Sequence, residues 1–307
     1  MTVVDDTNLR AAYRDELLDA GLLVRTDVEG LYGRSGVFED VVDGIDRVVV
    51  AAGAYLQARR LRFPPVLPRT VFARTDYLAS FPNLTGSIHT FTGDDKGHAR
   101  LLALHESGAD WTVELEPSEV VLVPAACHPV YPTLTGTLPE GGDVIDVYSY
   151  CFRHEPAADP ARMQAFRMHE FVRVGTPDDA IEHREAWIER GLDVLATLGL
   201  TAEAEIANDP FFGRAGRMLK VNQRDQALKF ELVVRLYGDD VPGTAVVSAN
   251  CHQDHFGTPF GIRTADGEVA HSACVGFGME RIALALFRHH GLDPASWPAP
   301  VRAAMWP

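Results

Sequence analysis

Four stretches of this chain combine charged or metal-ligating side chains at spacings that could do chemistry. The first is CFRHEP at 151–156. Alternate side chains of an extended strand share a face, so Arg153 and Glu155 point the same way. A guanidinium and a carboxylate at that spacing suit a ligand carrying a phosphate and a donor group. They equally suit a surface ion pair, which contributes little energy. The second stretch is AFRMHEFVRV at 165–174, where Phe166, Met168, Glu170, Val172 and Val174 fall on one face. A carboxylate among apolar neighbours is costly unless paired or metal-bound. Glu170 is therefore either a core acid paired to an arginine or a ligand. Between the two stretches lies the loop HEPAADPARMQ, which carries Arg162 and Met163.

The third stretch is LKFELVVRLY at 228–237. Leu228, Phe230, Leu232, Val234 and Leu236 form an apolar face, and Lys229 and Glu231 lie opposite. On an outer strand those charges are solvated; near the sheet centre they would point into a cleft. The fourth is CVGFGMERIALALF at 274–287, a strand that runs through two glycines into a helix. Arg281 sits in the first turn of that helix. A helix N-terminus attracts anions, and the arginine fork suits phosphate. A surface arginine beside an ordinary helix start is the plainer reading.

Cys127, Glu170 and Cys274 form a further set. Two thiolates and a carboxylate are all Zn²⁺ ligands, and three protein ligands leave one tetrahedral position open. Their spacing is no zinc-finger pattern. His128, His169 and His271 are adjacent rivals, and buried cysteines also serve simply as small apolar residues. The pair in HHG at 289–291 reads as a favourable helix C-terminus.

These groups must be positioned by elements that the pattern predicts. Leu9, Tyr13, Leu17 and Leu18 mark a first helix ending near Gly21. After Ser35, the residues Val37, Phe38, Val41, Val42, Ile45, Val48 and Val49 share a helical face. Residues 62–91 read as irregular with short strands. Strand-like runs follow at 100–104, 120–123, 145–153, 165–174, 228–237, 245–249 and 269–275. Helices are predicted from near Pro177 to Gly199 and from Gly278 to a cap at Gly291. Many strands with few, late helices indicate a mostly antiparallel sheet with helices packed on it, an α+β fold. The regular alternation of a doubly wound sheet is missing, as are Rossmann and P-loop glycine patterns.

The 307 residues allow one large domain or two modest ones. The formal charge is −15, from 28 basic and 43 acidic residues. That balance argues against a large nucleic-acid footprint, so an anionic substrate must be met by locally placed arginines. The four cysteines, Cys127, Cys151, Cys251 and Cys274, form no CxxC pair and are expected as thiols. The segment MTVVDDTNLR lacks a leader pattern, and no stretch suits a membrane span, so a cytoplasmic location is expected.

Taken in order, the motifs resemble a known family. FRHE, the loop with Arg162, and FRMHEF resemble motif 2 of class II aminoacyl-tRNA synthetases, and GFGMERIALAL resembles motif 3. VVSANCHQDHFG resembles the substrate-lining segment of seryl-tRNA synthetases. FPPVLPRTVFARTDYLASFPNLTGSIHTF and ACHPVYP resemble the zinc-dependent, methanogen-type seryl enzymes. The chain as a whole resembles the seryl-synthetase-like amino acid:[carrier protein] ligases. That resemblance implies one catalytic domain over 1–307 with a class II antiparallel sheet flanked by helices. It implies AMP-forming activation of glycine or alanine by ATP with Mg²⁺, then loading onto a phosphopantetheinylated carrier protein.

Residue by residue, the resemblance implies that Arg153 holds the α-phosphate and that Glu155 meets the adenine or the amino acid. Arg162 and Met163 would lie against the nucleotide. Lys229 and Glu231 would face ATP, with Glu231 a candidate Mg²⁺ ligand. Ala245, Val246, Val247 and Ser248 would line the ATP pocket, with Asn250 nearby. Arg281 would meet the γ-phosphate. Cys127, Glu170 and Cys274 would bind Zn²⁺, its open position taking the substrate amine. Seryl-tRNA synthetases carry a tRNA-binding arm ahead of the core, and no long heptad pattern precedes Cys127. FVRVG has Gly175 where many seryl enzymes have Glu, which weighs against serine. No tRNA acceptor is therefore expected; a compact seryl-type tRNA ligase and a non-catalytic amino-acid-sensing paralogue are the rival readings. By analogy the molecule is a homodimer, with 63–68 and the helix at 37–49 as interface candidates. A carrier would dock on a local basic patch, at 25–36 or at 57–62.

Overall fold

The computed structural model describes residues 6–207 and 228–307. The first five residues of MTVVDDTNLR lie outside them. A central sheet carries seven strands among the described residues, numbered here along the chain: β1 (Arg59–Leu61), β2 (Asp143–Phe152), β3 (Ala165–Gly175), β4 (Ala202–Ile206), β5 (Lys229–Val234), β6 (Thr244–Gln253) and β7 (His271–Gly278). Their order is β4-β5-β6-β7-β3-β2-β1. Every pairing is antiparallel except β1 beside β2, which is parallel. The expected α+β architecture is present.

The helices are α1 (Asp6–Asp19), α2 (Gly36–Gly53), α3 (Asp95–Ser107), α4 (Pro177–Thr197), α5 (Met279–His290) and α6 (Ala299–Met305), with shorter turns between. Ser35 caps α2 by accepting from the Phe38 N–H, and Phe38, Val41, Val42, Ile45, Val48 and Val49 are buried. Val37, predicted on the same face, is 46% exposed, because it stands at the margin of that face while Phe38 beside it points into the core. At the other end of α2, a Cβ on Gly53 would lie 2.1 Å from the Phe171 ring, so only glycine allows the helix to reach β3. The start of α4 carries a Thr176–Asp179 capping box with Pro177 behind it. Gly291 closes α5 with φ +93°.

One predicted strand is wrong. Residues 100–104 lie inside α3, which Asp94 caps through the Gly97 N–H and Gly108 stops in a left-handed turn. Leucine and alanine dominate that run and favour a helix once both ends are capped.

Two apolar clusters sandwich the sheet. On one face α2, α4, α5 and α6 bury Trp187, Phe171, Phe277, Leu232 and Val247. On the other, a small sheet (Val66–Pro68, Ser87–Thr90, Glu116–Leu122) and turns around Tyr131 and Phe256 cover β2, β3 and β7, enclosing Cys127, Val172 and Cys274. The apolar stripe of α2 is thus occupied by the chain's own α5 and α6, so it offers a partner no free apolar face.

Candidate active site

Strand register places the predicted groups in two adjacent rows on one sheet face. Glu231 faces Ser248 across β5–β6, Ser248 faces Gly276 across β6–β7, and Gly276 faces Glu170 across β7–β3. The neighbouring row runs Lys229, Asn250, Cys274, Val172. Side chains two apart on each strand share this face. At Gly276 the row has no side chain, and an added Cβ would sit 2.9 Å from the Met168 methyl.

At one end of the rows, Cys127, Glu170 and Cys274 converge with ligand atoms all within 4.8 Å of one another, each buried. Cys127 arrives from a turn, not from a strand: its neighbour Ala126 donates its N–H to Glu170 Oε1 at 2.9 Å. The second oxygen, Oε2, is buried and accepts no N–H or O–H hydrogen bond from the described residues; the carboxylate meets the two sulfurs. Burial, then the Cys274 charge, pushes the Glu170 carboxyl up to about 8. The two sulfurs lie within 4.8 Å of each other. The hydrogen bond between them holds Cys274 well below the usual thiol range and, with burial, holds Cys127 above it. A buried carboxylate oxygen with no N–H or O–H donor among the described residues, beside two thiols of which one is readily ionised, fits a thiophilic divalent cation.

Cys274 is the better supplied sulfur. Asn250 Nδ2 lies 3.7 Å away and His252 Nε2 3.6 Å. The other ring nitrogen of His252 faces the Ser272 hydroxyl at 3.3 Å. His252 stands at a bulge, where β6 slips register between Cys251 and Gln253 and Gln253 takes φ +54°. Sequence reasoning missed His252. Continuing the alternation Ser248, Asn250, His252 along β6 was the available signal. The rival histidines lie elsewhere. His128 is buried among Tyr77 and Phe256 with its pKa down at about 3, chiefly from burial. His169, on the opposite face of β3, sits between Asp46 at 2.6 Å and Asp146 at 3.2 Å. His271 falls at the far end of β7, opposite Gly175.

At the other end of the rows the groups are charged and partly open. Arg281 donates from Nε to the Ala161 carbonyl at 2.8 Å and from Nη1 to the Ala245 carbonyl at 3.0 Å. Val246, which follows Ala245, is the extra residue of a bulge between β5 and β6. Burial, then the Arg153 charge, lowers the Arg281 pKa; Glu155, Glu231 and Arg162 also lie within electrostatic reach of its guanidinium. Lys229 and Glu231 pair at 3.1 Å. Arg153 donates to the Pro124 carbonyl at 3.1 Å, and its guanidinium lies 5.4 Å from the centre of the Phe166 ring.

Several predicted residues stand differently from their sequence reading. Arg153 and Glu155 lie past the end of β2, and the Glu155 N–H donates to the Arg153 carbonyl at 2.8 Å. That tight turn, not strand alternation, sets their directions. The Met163, Val246 and Val247 side chains are buried in the helix-side core, which leaves only their backbone to line a pocket. Gly175 is five residues from Glu170, roughly 16 Å along the strand. A Cβ there would meet Asp179 Oδ2 at 2.5 Å, so glycine serves the α4 cap and not the site. The basic patches are neutralised by the chain's own acids. Arg59 pairs with Asp143 at 2.6 Å and Arg62 with Asp146 at 2.9 Å. Arg34 faces Glu280 at 3.4 Å, and Arg25 faces Asp15 at 3.6 Å. Among the described residues, no helix is long and apolar enough to cross a membrane.

Comparison with known proteins gives consistent relatives, although no family model matches the chain. It is 44% identical over 276 residues to amino acid–[acyl-carrier-protein] ligase 1 of Bradyrhizobium diazoefficiens, covering 89% of this chain and 84% of the relative. It is also 44% identical over 300 residues to ligase 2 of the same organism, covering 97% and 89%. Among solved structures it superposes on the M. kandleri seryl-tRNA synthetase, crystallised with A. aeolicus tRNASec, with a TM-score of 0.82 at 22% identity. That match covers 96% of this chain and 60% of the synthetase.

Proposed function

The chain belongs to the amino acid–[acyl-carrier-protein] ligase family, enzymes on a class II synthetase fold, and from that premise we propose a two-step reaction for it. ATP activates glycine or alanine as an aminoacyl-adenylate, and the aminoacyl group passes to the phosphopantetheine thiol of a carrier protein. The observation that carries this reading is a buried Cys–Glu–Cys cluster on the same strand rows as Glu231 and Ser248, with Arg281 tethered to the Ala245 carbonyl of β6 and within electrostatic reach of Arg153, Arg162 and Glu231. One end suits a small amino group and the other a polyphosphate.

In the first step a substrate carboxylate oxygen attacks the α-phosphorus, and the bond from that phosphorus to the pyrophosphate oxygen breaks. Arg153 and Arg281 supply fixed positive charge to the phosphates, and their tethers to backbone carbonyls preorganise them. Glu155 and Arg162 border the nucleotide, and the half-buried Phe166 ring offers a flat face to a base. Lys229 and Glu231 face the phosphates, with Glu231 the candidate for Mg²⁺ carried in with ATP; Ala245 to Ser248 line that pocket through backbone and Ser248. Asn250 and Glu170 border the amino acid. Zn²⁺ held by Cys127, Glu170 and Cys274 would supply a Lewis-acidic position for the amine. In the second step the carrier thiolate attacks the acyl carbon, the anhydride C–O bond breaks, and AMP leaves. We further propose that 1–307 acts as one catalytic domain, that it pairs as a homodimer, and that it works in the cytoplasm.

Amino-acid-dependent exchange of pyrophosphate into ATP tests the first step, and side-by-side acceptor assays with carrier protein and tRNA test the second. Arg153→Ala should lower exchange about 10²–10³-fold. Wild-type protein that exchanges with no small amino acid would overturn the proposal, and preferential charging of tRNA would replace its second half.

A further inference from the structure

Asp159 lies in the loop between β2 and β3, its Oδ2 is 3.9 Å from Arg162 Nε, and it is only 5% exposed in a strongly acidic chain. Its carboxylate is gripped from two distant parts of the sequence and from its own turn. Arg10 of α1 forms an ion pair with Oδ2, and the Tyr237 hydroxyl donates to Oδ1. The Ala161 N–H donates to Oδ1 at 2.9 Å, closing a short turn over Pro160–Arg162. The grips are mutually supported: the Arg10 guanidinium lies 4.9 Å from the centre of the Tyr237 ring, and Tyr237 meets Tyr13 edge-on at 6.3 Å.

The held peptide is also held from the site side. Arg281 donates to the Ala161 carbonyl, so the N–H of this residue is fixed by Asp159 and its C=O by Arg281. Arg162 follows directly, with 53% of its side chain exposed and its guanidinium 3.6 Å from Glu155 and 3.9 Å from Asp159. It is an open cationic arm on an immobilised base. A flexible loop carrying the same arginine would lose conformational freedom each time it closed on an anion.

We infer that Asp159 is a positioning residue for the nucleotide end of the site: through Arg10 and Tyr237 it ties the Arg162 turn to α1 and to the segment after β5, so that Arg162 and Arg281 are preorganised. This rests on the reading that ATP binds there. A carboxylate that merely capped a turn would affect stability and both substrates alike. A positioning carboxylate acts on the nucleotide alone.

The test uses the full chain with Asp159→Asn, which keeps an oxygen for the Ala161 N–H but loses the charge pair. Pyrophosphate exchange gives KM for ATP and for the amino acid, and backbone hydrogen exchange reads residues 161 and 162. The expected result is a rise in the ATP KM of about tenfold with the amino-acid KM within about twofold. Faster amide exchange at 161–162 accompanies it. Tyr237→Phe removes one hydrogen bond, keeps the ion pair, and should raise the ATP KM about threefold. Arg10→Ala should match Asp159→Asn, the double variant should be no worse than either, and Arg10→Lys should recover much of the loss. An unchanged ATP KM, or equal rises in both KM values, would overturn the inference. Wild-type protein without exchange activity counts against the nucleotide reading itself. In that event unchanged protection at 161–162 in Asp159→Asn overturns the clamp, and lost protection upholds it.

Discussion

The two ends of the site face are built on opposite physical principles. Around Cys127, Glu170 and Cys274 the groups are fully buried, few, and set largely by strand positions; one carboxylate oxygen has no N–H or O–H donor among the described residues. Around Arg153, Arg162, Arg281 and Glu231 the groups are charged, partly open, and held by carbonyls and by a clamped turn. The dry end gains selectivity from desolvation, because a buried carboxylate and thiolate favour a cation strongly only when water is absent. The open end must admit and release a highly charged ligand, so its precision comes from immobilising the bases of its arginines. Ser248 and Asn250 on β6 bridge the two, within one strand register.

If the ends are separable, breaking one should spare the other. Glu170→Ala removes a ligand from the dry end and should weaken zinc binding by more than about 100-fold. Metal content after dialysis and chelator competition measure that, while nucleotide affinity by calorimetry should stay within about twofold of wild type. A parallel loss of nucleotide affinity would show that the two ends are one unit.

The next effect lies beneath the dry end. His183 on α4 donates to the Phe171 carbonyl at 3.0 Å, behind the strand that carries Glu170. Burial depresses its pKa to about 4, so it is held neutral in the folded state. A group with a folded pKa below its unfolded value of about 6.5 gives stability that is complete above that value. That stability is lost as pH falls from about 6.5 through 4. The loss is at most about 3 kcal/mol. Urea unfolding at pH 7 and pH 4.5 should show the drop, and His183→Gln should flatten it by about one proton. An unaltered pH slope in His183→Gln would assign the acid loss to other groups.

The smallest effect concerns Gly175. Gly175→Ala crowds Asp179, which accepts from the Thr176 N–H at 2.9 Å, and should cost about 1 kcal/mol through the α4 cap. The amino-acid preference in the exchange assay should not move. A changed preference would return Gly175 to the substrate site and redraw the boundary between its two ends.

What the strands themselves carry was largely legible, because its logic is alternation. Glu170 was placed on a face with Met168 and Val172, and β3 keeps that face. Lys229 and Glu231 were placed together opposite Leu232, and they pair on β5. The loops and bulges of the open end were less legible. Arg153 and Glu155 were read as strand neighbours, but a turn past β2 aims them. Val246 and Val247 were assigned to a pocket that their side chains do not reach, because Val246 is the extra residue of a bulge and both join the helix-side core. The strand predicted at 100–104 failed because a short apolar run does not distinguish strand from helix; the caps Asp94 and Gly108 decide it.

By itself the sequence determined the chemical types and the local directions: an α+β chain, two arginine motifs in order, and an acid on an apolar strand face. Those follow from side-chain chemistry and from backbone periodicity, which are local. The tertiary structure decided which distant groups meet. It brought Cys127 out of a turn onto Glu170, His252 onto Cys274 at a bulge, and Arg10 and Tyr237 onto Asp159. The physical reason is that a buried polar group needs a partner within hydrogen-bond reach but not within any fixed number of residues, so only the packing of the whole chain selects it.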